Sequence, residues 1–85
     1  TYIGIIDSYR EMGDLPKSLE YINKAEKLFH TVPQHKAGEV ILRKGFTYSL
    51  MGKNNEAINT YKFALNIFEK AQKQAFIANT YILLG

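Results

Sequence analysis

Two histidines, His30 and His35, stand on either side of Pro33, a spacing that raises the question of a metal site. Structural zinc takes four ligands, and a chain without cysteine offers no thiolate to complete the set. The pair therefore reads as loop histidines. Ser8 follows Asp7, which raises nucleophilic catalysis. The strained Gly-x-Ser-x-Gly turn is absent, however, and no base is set in the sequence to activate the hydroxyl. The glycines at 4, 13, 38, 45, 52 and 85 are dispersed rather than gathered into a phosphate-cradling loop. No paired carboxylates suggest a general acid and base. These residues point to a chain that is not an enzyme and uses no cofactor, metal or small-molecule substrate.

The composition describes what such a chain has to work with. Of 85 residues, 46% are apolar and 13% aromatic, with 11 Lys and Arg against 8 Asp and Glu for a net charge of +3. That is enough apolar surface for collapse but too little chain for a second core. The cations are scattered from Arg10 to Lys73, many one helical turn from an acid, as in Glu20/Lys24 and Glu69/Lys73. A nucleic-acid footprint is a patch or stripe, so this distribution argues against such a partner for the segment. Apolar runs such as Tyr81 to Leu84 fall far short of the roughly 20 residues that span a bilayer. The expected setting is cytoplasmic, with no membrane partner. The absence of an initial Met and the apolar helix at the end read as an excerpt of a longer protein.

The elements follow from a self-similarity. Sliding the chain by 39 residues places Tyr9 on Tyr48, Met12 on Met51, Gly13 on Gly52, Ala25 on Ala64 and Phe29 on Phe68. Within each copy the apolar residues recur every three or four positions, as in Leu15, Leu19, Ile22, Ala25 and Phe29. The spacing predicts helices over about 1–12, 15–30, 34–51, 54–72 and 74–85. Gly13 and Gly52 should close the first helix of each pair in the left-handed conformation, Pro16 suits a first helical turn, and Asn54 suits an N-cap. Thr31, Val32 and Pro33 should break the chain between copies. Between Phe68 and Phe76 lie only good helix formers, so one continuous helix there is an alternative that would favour exchange of the last helix between chains.

The copies resemble tetratricopeptide repeats, helix-turn-helix units of about 34 residues. The second copy carries the likeness at Ile41, Gly45, Tyr48, Gly52, Ala57, Tyr61 and Ala64; the first is similar at Tyr2, Tyr9, Gly13, Ser18, Ile22 and Ala25. Tyr81, Leu84 and Gly85 begin a third. Departures are Ile6 and Lys44, where Gly and Leu are usual, and about five additional residues per unit. The resemblance implies an all-α fold, an α-α superhelix of helix hairpins in a single domain, with repeat 1 over 1–33, repeat 2 over 34–73 and the first helix of a third over 74–85. Longer units of this kind are similar to those of bacterial regulators, peptide sensors and polarity scaffolds. Small residues at Gly45, Ala57 and Ala64 would admit close helix approach, with Tyr48 and Tyr61 filling the space between.

Helix 34–51 has two apolar faces. Ile41, Gly45 and Tyr48 belong to the core; Leu42, Phe46 and Leu50 recur at i, i+4 and i+8 on the other. By the resemblance that second face lines a concave groove, bordered by Glu39, Arg43 and Ser49, continued by Asp7 and Arg10 from the first helix and Asn79 from the last. The implied function is a non-catalytic module holding a protein or peptide segment, with an apolar centre at Phe46 and Arg10 and Arg43 selecting an acidic group. One alternative is the peptide-sensing part of a bacterial transcriptional regulator or sensor kinase. Another is a structural spacer or oligomerisation unit, self-associating through its uncapped end helices. Docking of a chaperone's acidic tail is not expected: of Ile3, Asp7, Arg43, Asn79 and Leu83 at the matching places, only Arg43 suits it.

Overall fold

The computed structural model of the chain describes residues 2–31 and 33–84. Thr1, Val32, Gly85 and the His30 side chain lie outside the described residues, and with them the expected helix start at Thr1, the Gly85 of a third copy and the role of the His30 imidazole. The regular elements among the described residues are all helical, with no strand: α1 (Tyr2–Glu11), α2 (Leu15–Glu26), a 3-10 turn (Phe29–Thr31), α3 (Gln34–Leu50), α4 (Asn54–Ala71) and α5 (Gln74–Leu84).

Three of the junctions share one backbone device. Gly13 and Gly52 adopt φ of 82° and 79°, a region open to glycine because it has no Cβ to clash with the carbonyl. Around Gly13, its N–H donates to Arg10 O and that of Asp14 to Tyr9 O; around Gly52, its N–H donates to Ser49 O and that of Lys53 to Tyr48 O. These are paired Schellman bonds, which satisfy carbonyls left over at a helix end. The same pair closes α4, from Gln72 to Glu69 O and from Lys73 to Phe68 O, with Gln72 at φ 57°. The chain therefore breaks between α4 and α5 although every residue there favours helix. The break lets the Phe76 ring fold back onto the Phe68 ring, 4.8 Å away and nearly parallel at 13°.

Two local expectations are corrected. The second helix stops at Glu26 instead of residue 30. There the Leu28 N–H bonds Ala25 O, and both the N–H and hydroxyl of Thr31 bond Leu28 O. This tightening into 3-10 geometry carries Phe29 against both core clusters. Asn54 is the first helical residue of α4, and the cap position falls on Lys53, which makes no side-chain capping bond. The cap site is fixed by the left-handed glycine before it, so the equivalent of Asp14, whose carboxylate does accept from the Lys17 N–H, is Lys53.

Packing is sequential: α1 on α2, α2 on α3, α3 on α4 and α4 on α5, with α1 also touching α3. Gly38 meets the Phe68 ring and Gly45 the Tyr61 ring, so a step up α3 is an equal step down α4 and the two are antiparallel. Two clusters form the core. Ile6, Ile22, Ala25 and Val40 join the first three helices, and Ile41, Ala64 and Phe68 join α3 to α4. Buried hydroxyls are satisfied by backbone carbonyls, Ser18 donating across from α2 to Ile6 O on α1 and Thr47 donating one turn back to Arg43 O.

Candidate functional site

Because α1 touches α3 on one side, side chains from both helices meet there. On α3 the stripe at i, i+3, i+7, i+10 and i+14 is Lys36, Glu39, Arg43, Phe46 and Leu50; on α1 it is Ile3, Asp7 and Arg10. The two stripes face each other rung by rung. Ile3 and Glu39 line one cleft, Arg43 Nε donates to Asp7 Oδ1 at 2.9 Å, and the Arg10 guanidinium lies 4.7 Å from the centre of the Phe46 ring. The pairing runs in the same direction along both helices, so α1 and α3 are parallel.

The middle rung is electrostatic. Asp7 Oδ1 also takes Arg10 Nη1, at 3.2 Å, so two guanidiniums share one carboxylate oxygen. Arg43 spends a further N–H on Glu39 O at 3.2 Å. The Asp7, Arg10 and Arg43 side chains keep between 21% and 29% of their surface exposed, so the cluster is open to an incoming charged group. Glu39 is more sheltered, at 14%, and pairs with Lys36 at 3.5 Å. Arg10 holds both an ion pair and the face of an aromatic ring, which a planar delocalised cation can do at once.

The apolar part flanks that rung. Phe46 is 36% exposed and Leu50 53%. Leu42, expected beside them, is half-buried and packs on the second core cluster with Phe76 and Ile77; the exposed stripe passes it by. Ser49 and Asn79 are exposed, and neither makes a side-chain bond to the cluster. The structure thus brings together Asp7, Arg10, Glu39, Arg43 and Phe46, with Leu50 one turn beyond.

Sequence reasoning missed what lies at the other end. A cleft of about 470 Å³ opens between the start of α1, the end of α2 and the start of α3, walled by Tyr2, Ile3, Ala25, Leu28, Phe29 and Val40, with Lys36 and Glu39 completing the lining. Its signal in the sequence was the shared periodicity of Ile3 with Asp7 and of Glu39 with Arg43, but the cavity itself depends on the 3-10 turn that places Phe29. Elsewhere, α5 contains no charged residue and leaves Tyr81, Ile82 and Leu83 exposed. Among the described residues no group of three His, Cys, Asp or Glu is placed to hold a metal ion, and no helix is long and apolar enough to cross a membrane. Comparison of the chain with protein-family models, with curated proteins and with solved structures finds no match in any of the three.

Proposed function

We propose that the chain is a non-catalytic binding module of tetratricopeptide type, its hairpins stacked as an α-α superhelix, that holds a protein or peptide segment against the shared face of α1 and α3. The observation that carries this reading is the exposed Phe46 ring, held beneath the Arg10 guanidinium and beside a carboxylate shared by two arginines. Aromatic and arginine side chains together at a partly desolvated spot are the usual composition of an interface hot spot. The rings and aliphatic chain supply burial, while the charged rung supplies register and rejects mismatched partners.

Phage-displayed random peptides selected on the immobilised chain provide the test. Peptides so obtained should lose at least tenfold in affinity when Phe46 is replaced by Ala, about 1.4 kcal/mol, with helicity unchanged by circular dichroism. Selected peptides that bind the Phe46→Ala variant as tightly as the parent chain would reject the site.

A further inference from the structure

We infer that the α1/α3 face takes an extended segment of the pattern apolar-x-acidic-x-apolar, and that Asp7 is an internal stand-in for the ligand's carboxylate. This rests on the binding reading above and adds to it a ligand class and a built-in competitor. The charged rung has one positive charge in excess, because Arg10 and Arg43 converge on a single oxygen of Asp7 while Lys36 and Glu39 cancel. Neither arginine makes a two-pronged bond to Asp7, the geometry in which a guanidinium holds a carboxylate best. A ligand carboxylate could take that fork once Asp7 turns aside, and Asp7 is free enough to turn, at 29% exposure.

The spacing comes from the helix. Along α3 the cleft is centred near Glu39, the charged rung at Arg43 and the apolar strip between Phe46 and Leu50. At 1.5 Å per residue, the cleft and the strip are about 13 Å apart with Arg43 about midway. An extended chain rises about 3.3 Å per residue and points alternate side chains the same way. Residues i, i+2 and i+4 of such a chain therefore span about 13 Å on one side. A bulky side chain at i would enter the cleft walled by Leu28, Phe29 and Val40, an acid at i+2 would meet Arg10 and Arg43, and a second bulky group at i+4 would lie on Phe46 and Leu50.

A symmetric probe, fluorescein-labelled Gly-Phe-Ser-Asp-Ser-Phe-Gly, tests this in either chain direction by fluorescence anisotropy. The comparison probes carry Asn or phosphoserine in place of Asp, or Ser in place of one Phe. The Asp probe should bind at least fivefold tighter than the Asn probe, and loss of one Phe should cost at least tenfold. In the protein, Asp7→Asn should tighten the Asp probe at least threefold and leave the Asn probe unchanged, and Leu28→Lys, which puts charge in the cleft, should weaken both at least tenfold. Asp7→Ser is the second variant should Asp7→Asn lose helicity. Equal binding of the Asp and Asn probes, weaker binding to Asp7→Asn, or no binding of any probe overturns the inference. A phosphoserine probe preferred by more than tenfold overturns the carboxylate assignment. Library-selected peptides that need Phe46 but lack the acid and ignore Asp7→Asn would leave the binding reading standing and remove this one.

Discussion

Replacing Gly38 by Ala tests how closely α3 and α4 are packed. In the middle of a helix this change ordinarily stabilises by about 1 kcal/mol, since Ala loses less backbone freedom on folding than Gly. Here the added Cβ would lie 2.6 Å from Phe68 Cε1 and 3.0 Å from Cδ1 and Cζ. Carbon atoms rest at about 3.5–4.0 Å, so the ring has to retreat by about 1 Å. Phe68 is fully buried, and the Phe76 ring is stacked on it at 4.8 Å, so that retreat pushes on α5 as well. Overpacking of this kind costs about 1–3 kcal/mol. Set against the helix gain, the expected net loss is about 1 kcal/mol, which lowers Tm by about 4–8 °C in a domain of this size. Thermal and urea unfolding followed by far-UV circular dichroism reads the effect. A cycle with Phe68→Leu separates the contact from propensity: with the ring shortened, Gly38→Ala should cease to destabilise, giving a coupling of about 1 kcal/mol or more. A Gly38→Ala variant that melts higher than the parent, or two substitutions whose effects simply add, would refute the claim that ring contact sets the helix separation.

Gln72→Gly should stabilise by about 0.5–1 kcal/mol, because Gln72 holds φ 57° and a side chain there costs about 1–2 kcal/mol that glycine avoids, less the greater freedom of glycine in the unfolded chain; an unchanged or lower urea midpoint would count against it. Burial raises the Tyr61 phenol above its ordinary 10.0, so its contribution is fully present below pH 10 and is lost as pH rises from there through the raised folded value, the unfolded chain giving up its proton first. Tyr61→Phe should flatten the alkaline fall in stability, measured as urea midpoints from pH 8 to pH 11, and an unaltered slope would mean that other groups cause it.

The hairpins were legible because their signals are local. Left-handed glycines at 13 and 52, Pro16 in a first turn and a period of three to four residues each act within one turn of chain, and the structure keeps all of them. What escaped are features set by contacts between elements. The break between α4 and α5 falls where two separate helices were expected, but its form, a left-handed Gln72 that brings Phe76 onto Phe68, has no marker in a run of good helix formers. The 3-10 turn after α2, which sets Phe29 against two clusters, likewise lies where the apolar period alone would continue the helix. Tyr48 is expected to share the inter-helix space with Tyr61, yet of the two only Tyr61 is buried and Tyr48 is half-buried.

The candidate site divides along the same line. Asp7, Arg10, Arg43 and Phe46 were each readable as residues on first-helix faces, but their pairing was not. The sequence repeats at 39, which would match Asp7 with Phe46. The structure instead pairs Asp7 with Arg43 and Arg10 with Phe46, an interval of 36 in both cases. The difference is three residues, nearly one helical turn, so the same face is presented but slid by about 4.5 Å along the axis. That slide is fixed by how side chains interlock between α1 and α3, which the repeat period does not encode. Its effect is chemical: a register of 39 would set Asp7 against an aromatic ring and leave both arginines without a shared acid, whereas a register of 36 gathers the charges in the middle and leaves apolar surface at both ends.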